Sequence, residues 1–257
     1  MTATARPRVI ALGASNLTRL LPVMMRVRSA ACEPQATACE WFVAAGLGRS
    51  YGVRTRLFGR QLPGMDDCGL WSALAAAESH SARGNAIGIV TDVGNDIFYG
   101  VEVAQVLAWV EHALQRLRPL VQRLVITGVP PSVFELDALR FWVMRRIIVP
   151  SCTLELLEGK RRATALHEGL RCLAERYQAV FYTGERDWYG WDAIHVKRRH
   201  WRTFVEQVLD VPRANDLPRL PNRDGRVRPE LRWLFGREQR VAQPAVQWSD
   251  GTTLSIY

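Results

Sequence analysis

Lysine is nearly missing from this chain. Of its 34 basic residues only Lys160 and Lys197 are lysine; the rest are arginine, against 25 acidic residues, for a formal net charge of +9. Such an excess could mark a nucleic-acid binder, yet no RNA-recognition, KH, zinc-finger or helix-turn-helix signature accompanies it. With abundant alanine beside it, the arginine bias reads as a compositional habit of the source genome, and the charges as a solvated face. The excess is densest from Lys197 to Arg240, with 12 basic and 6 acidic residues. Nucleic acid is therefore not an expected partner. Long apolar runs are also lacking: none approaches the ~20 residues of a membrane helix. The cysteines (Cys32, Cys39, Cys68, Cys152 and Cys172) are odd in number, scattered and without Cys-x-x-Cys spacing. That argues against a disulfide framework or a zinc site and for reduced thiols. Met1 to Pro7 lead straight into a strand-like segment and leave no room for a secretory signal. The expected location is the cytoplasm, and no metal or other cofactor is expected.

What is present is an ordinary globular composition: 257 residues, 48% hydrophobic and 23% charged. This suits one large α/β domain, or one domain with an extension. Apolar runs of strand length alternate with segments of helical period. The runs are Val9–Leu12, Trp41–Ala44, Ile87–Val90, Leu124–Thr127 and Ala179–Tyr182. Their continuous apolar character fits strands buried on both faces, as in a parallel sheet. Between them, Val103, Val106, Leu107, Val110, Leu114 and Leu117 form a helical stripe that stops near Pro119. A longer helix is predicted over about 153–177, with Leu154, Leu157, Leu166, Leu170 and Leu173 facing inward. The alternation implies right-handed crossovers and a three-layer α/β/α sandwich with a mostly parallel, five-stranded sheet of flavodoxin-like type. After Leu209 the texture changes: Pro212, Pro218, Pro221 and Pro229 punctuate a polar, arginine-rich segment. Residues 1–210 are read as the α/β domain. Residues 211–257 are read as an extension packed on it or on a second subunit, partly disordered in places, with a short strand-like end between Gln243 and Tyr257.

Three short segments carry chemistry. Asp192-Ala193-Ile194-His195 places a histidine three residues after an aspartate, a spacing that lets the carboxylate hold one ring nitrogen while the other accepts a proton from a nucleophile. Gly13-Ala14-Ser15 puts a serine just after the first strand, with a helix predicted from Asn16 to Arg28. The serine would then stand at a helix N-terminus, where backbone N–H groups and the dipole favour negative charge. Gly94-Asn95-Asp96 follows the central strand. Ser15, Gly48 and Asn95 all fall at strand carboxyl ends, where open α/β sheets bind ligands.

Gly13-Ala14-Ser15, Gly48, Gly94-Asn95-Asp96 and Asp192-x-x-His195 occur in the order of the four blocks of the SGNH hydrolases, also called GDSL esterases and lipases. From about residue 8 to residue 208 the chain resembles that family. The resemblance implies Ser15 as nucleophile, His195 as general base and then acid, and Asp192 as the group that orients it. It also implies an oxyanion hole made of the Ser15 and Gly48 backbone N–H groups and the Asn95 amide. Gly46, two residues earlier, is the alternative to Gly48. Asp96 is expected to bond loop backbone. Two departures mark a divergent branch: the family usually has Asp before the serine, where this chain has Ala14, and Gly after the triad Asp, where it has Ala193.

The implied activity is hydrolysis of an acyl or acetyl ester through an acyl-enzyme, on a small-molecule or carbohydrate substrate. Transfer of the acyl group to an alcohol by the same triad is one alternative. A non-catalytic binding protein on this fold is another, since fold does not fix function. Trp188, Tyr189 and Trp191 near the His loop, and Arg49, Arg54, Arg56 and Arg60 after the glycine loop, could contact substrate or serve as core aromatics and solvated arginines.

Overall fold

The structure, a computed structural model, describes residues 6–31, 38–57, 59–78, 86–148, 152–218 and 227–257. Cys32 and the first five residues of the sequence lie outside them. The first half of the chain runs β1 (Arg8–Gly13), α1 (Ser15–Ala31), β2 (Glu40–Ala45), the short hairpin β3 (Thr55–Leu57) and β4 (Arg60–Leu62), α2 (Leu70–Glu78), β5 (Ala86–Val90), α3 (Asn95–Phe98) and α4 (Val103–Leu117). The second half runs β6 (Arg123–Thr127), α5 (Ala138–Ile148), α6 (Leu156–Arg176), β7 (Val180–Tyr182), α7 (Trp201–Leu209), β8 (Leu231–Leu234), β9 (Arg237–Arg240), β10 (Val246–Gln247) and β11 (Thr253–Ile256).

The five apolar runs form one parallel sheet in the order β2-β1-β5-β6-β7. Strand pleating sends alternate side chains to opposite faces, so β1 feeds two cores at once. Ile10 and Leu12 pack with residues of α2, α4 and α6, among them Leu74, Val110 and Leu170. Val9 and Ala11 pack with α1 and α7, among them Leu20, Met24 and Val205. The result is a mixed α/β fold with a mostly parallel central sheet covered on both sides by helices. Among the described residues no helix is long and apolar enough to cross a membrane.

The sheet has seven strands rather than five. β11 pairs in parallel with β2, with Thr253 opposite Glu40 and Ile256 opposite Val43, and β10 adds antiparallel outside it. These two strands come from the proline-punctuated C-terminal segment; β11 is the short strand-like end expected there, and β10, of two residues, is too short to announce itself by period. The same segment supplies β8 and β9, which extend the β3–β4 hairpin into a second, antiparallel sheet through Arg60 opposite Leu234 and Gln61 opposite Trp233. Residues 219–226, within the arginine-rich stretch, lie outside the described residues.

Candidate active site

Ser15 is the first residue of α1, set there because β1 ends at Gly13 and the chain turns at once into the helix. A side chain at Gly13 would collide with Thr91 and Leu17, so only glycine lets the strand and helix approach so closely. The turn is held from the neighbouring strand end. One carboxylate oxygen of Asp92 accepts from the backbone N–H groups of Ala14 (2.9 Å) and Leu17 (3.0 Å), and the other accepts from the Asn16 side-chain amide (2.9 Å). Asp92 has φ 59°, a left-handed conformation that aspartate tolerates at some cost. Ala14 is fully buried with its N–H on that carboxylate. Asp92 is thus the carboxylate that holds this turn, through the backbone on both sides of Ser15.

His195 comes from a compact loop after β7. Its ends are tied by the Gly190 N–H to the His195 carbonyl (2.8 Å) and the Lys197 N–H to the Trp188 carbonyl (2.7 Å). One Asp192 oxygen accepts from the backbone N–H groups of Ile194 (3.2 Å) and His195 (3.0 Å), and the other lies 2.6 Å from His195 Nδ1. On the far side of the ring, Nε2 is 2.8 Å from the Ser15 hydroxyl oxygen. With Nδ1–H donating to the carboxylate, Nε2 is left to accept the serine proton. Burial pushes the Asp192 carboxyl up, but the hydrogen bond and charge of His195 and the two loop N–H groups hold it, on balance, below the usual carboxylate value. Ala193 sits at φ 62°, a left-handed conformation that glycine adopts freely and alanine only at a cost. Its carbonyl is held by the Ser132 hydroxyl at 2.7 Å.

Asn16 ties this loop to the nucleophile turn. Its amide nitrogen donates to the Ile194 carbonyl (2.8 Å) as well as to Asp92, and its oxygen accepts from the Val196 N–H (3.0 Å). Neither Asn16 nor Asp92 stands out in the sequence. The only available signals are an amide directly after the serine and a carboxylate three residues before Asn95.

Asn95 opens α3 and donates to the Arg49 carbonyl across a long 3.4 Å, so its amide lies beside the glycine loop. Both glycines there have a structural reason. Gly48 has φ 66°, and a Cβ would come within 3.0 Å of the Tyr99 hydroxyl, which donates to the Gly48 carbonyl. A Cβ at Gly46 would run into Leu62. Burial, with the Asp96 charge, pushes the Tyr99 phenol up to about 12, so it stays a donor. Asp96 is fully buried and accepts from the Ser50 hydroxyl and, at 3.2 Å, from the Tyr51 N–H. Burial outweighs those bonds and lifts its carboxyl to about 6.

Ser15, Asn16, Asp92 and Asn95 line one cavity of about 690 Å³, its open mouth included. The remaining walls are largely apolar, with Phe98, Val129, Leu136, Phe141, Met144 and Leu154 among them, and among the described residues Lys160 is the one basic residue that lines it. Part of the aromatic and arginine sets is engaged in packing and backbone bonds. Trp188 and Tyr189 are buried, with Trp188 stacked on His200. Arg49 is fully buried, donating to the carbonyls of Pro63 (3.0 Å), Ala45 and Tyr257, and Arg54 lies 4.0 Å over the Trp233 ring. Trp191 alone of the three aromatics is exposed. Among the described residues no three His, Cys, Asp or Glu side chains gather as a metal-binding set.

The fold is thus a mostly parallel α/β sheet with Ser15, His195 and Asp192 brought together at its carboxyl edge. No protein-family model matches the sequence, and no curated protein matches it; the likeness is one of structure. An inhibitor-bound aryl esterase of M. smegmatis superposes with a TM-score of 0.50 at 14% identity, covering 80% of this chain and 100% of that one. A carbohydrate acetylesterase of Sinorhizobium meliloti gives 0.48 at 12% identity over 79% and 99% of the two chains. A lipolytic G-D-S-L family protein of Veillonella parvula gives 0.48 at 13% over 80% and 97%. This likeness is one of fold: the chain shares that of the M. smegmatis aryl esterase.

Proposed function

We propose that this protein is a divergent SGNH hydrolase that cleaves carboxylic esters through an acyl-enzyme. His195 takes the Ser15 proton as the serine oxygen attacks the ester carbonyl, and Asp192 stabilises the imidazolium that results. The carbonyl oxygen becomes an oxyanion, received by the backbone N–H groups of Ser15 and Gly48 and by the Asn95 amide. His195 then gives its proton to the departing alcohol. Water, activated by the same ring, attacks the acyl-serine and releases the acid. The observation that carries this reading is the unbroken Asp192–His195–Ser15 chain, at 2.6 Å and 2.8 Å, beside the cavity wall.

The cavity's apolar walls favour an apolar acyl group over a bare acetyl, because each methylene they take from water contributes about 0.8 kcal/mol. The test is a panel of p-nitrophenyl esters of increasing acyl length, run with wild type and Ser15→Ala. Turnover that rises with chain length and disappears in the variant is expected. Equal release by both proteins, or none by either, contradicts the assignment.

A further inference from the structure

Large apolar side chains left in water are unevenly placed. Of the six most exposed among the described residues, four stand on the elements around the cavity: Leu139 (67% exposed) and Trp142 (52%) on α5, Leu157 (80%) at the start of α6, and Trp191 (55%) on the His195 loop. Helix α5 is apolar on two sides. Phe141 and Met144 point into the cavity, whereas Leu139 and Trp142, three residues apart and so on one stripe, point outward with Arg146 one turn on. The helix is fastened to both neighbours: Arg140 donates to the Trp191 carbonyl and Arg145 to the Leu154 carbonyl, each at 2.8 Å. The exposed residues thus sit on one connected rim. α5 carries three arginines and no acid. The nearest acid in sequence, Asp137, is engaged with the Arg140 backbone N–H at 2.8 Å. The adjoining Glu158 is paired with Arg161 and Arg162, and Glu135 with Arg186.

Apolar and aromatic side chains alternating with guanidinium groups suit the boundary of an anionic lipid surface, where rings and alkyl groups enter the headgroup layer and cations meet its charge. We propose that α5, with Leu157 and Trp191, is a docking face that seats the cavity mouth on an anionic lipid surface. An acyl group leaving such a surface would pass Trp142 and Leu139 and meet Phe141 and Met144 without crossing open water. Docking itself needs no turnover; only the delivery of an ester rests on the proposed hydrolase activity.

The experiment is co-sedimentation of the full chain with vesicles of phosphatidylcholine alone or mixed equally with phosphatidylglycerol, using wild type, Leu139→Ser/Trp142→Ser, Arg146→Gln and Ser15→Ala. Wild type and Ser15→Ala are expected to pellet with the anionic vesicles and to stay in solution with the neutral ones. Loss of one arginine should weaken partitioning about fivefold, and loss of the two apolar anchors about tenfold or more. Melting temperature and hydrolysis of a soluble short-chain ester should be unchanged by these rim substitutions. Failure to pellet with anionic vesicles, or equal pelleting by wild type and the rim variants, overturns the proposal. So does a dimer in sedimentation velocity that Leu139→Ser/Trp142→Ser dissociates, since a second copy would then cover this face. Vesicle binding without hydrolysis of any ester would remove the hydrolase reading and leave the docking face standing; hydrolysis without vesicle binding would do the reverse.

Discussion

At the scale of single residues the site divides into what neighbours in sequence can do and what only the fold can do. Asp192 and His195 were legible because three residues of one loop suffice to bring carboxylate and ring together. Ser15 was legible because a strand end and a helix start meet there. Asn16 and Asp92 were not, since their contact joins residues 76 apart and no local pattern encodes it. Both are testable. Asn16→Ala removes the bonds to Ile194, Val196 and Asp92, freeing the His195 loop relative to Ser15. A misplacement near 1 Å costs ~10² in rate, so kcat should fall by about that factor while KM changes little. A variant with unchanged kcat and a lowered melting temperature would make the tie merely structural. Asn95→Ala should lower turnover ~10²–10³-fold if the amide serves the oxyanion, with covalent labelling of Ser15 persisting at a reduced rate. Its present bond to Arg49, at 3.4 Å, is weak enough to exchange for a better acceptor. A destabilised Asn95→Ala protein with full turnover per active site would take Asn95 out of the site.

Elements were read well where burial repeats with a clear period. All five apolar runs became strands of the parallel sheet, and the stripe from Val106 to Leu117 lies buried in α4. α6 shows the limit. Leu157 is expected to face inward but stands exposed, because it lies nine positions before Leu166 and nine steps of ~100° turn it to the opposite face. The inward stripe instead begins at Gly159 and Ala163. α3 was too short to read as a helix, yet its first turn anchors the glycine loop through Asp96. That anchor has a pH signature. The folded carboxyl titrates at about 6 against 3.8 for the free group, so the native state holds the proton more tightly. Its contribution is therefore full below pH ~4 and is lost as pH rises through ~6, an effect of about 3 kcal/mol. Asp96→Asn, which never ionises, should gain stability relative to wild type between pH 4 and 7. Urea-unfolding midpoints at the two pH values check this; a difference independent of pH would contradict it.

For the whole molecule, the C-terminal segment is the part the sequence disclosed least. Its strands are two to four residues long and separated by proline and glycine, so beyond the strand-like end that becomes β11 little periodicity could accumulate, yet two of them widen the main sheet and two complete a second one. Tyr257 also reaches the glycine loop, its carbonyl accepting from buried Arg49. Deleting Thr253–Tyr257 would strip β2 of its outer neighbour and leave that guanidinium buried without this acceptor, a loss of order 3 kcal/mol or more. The truncated chain should melt well below the full chain and lose the proposed ester hydrolysis in proportion to its unfolding; unchanged melting would show the segment to be dispensable. The central claim is that the serine opening α1 is a covalent nucleophile, and reaction of the intact protein with a fluorophosphonate followed by mass analysis and peptide mapping tests it most directly. A single adduct on Ser15, abolished in His195→Ala, is the expected result. No adduct, or one on Ser50, Ser132 or any other serine, would contradict the account.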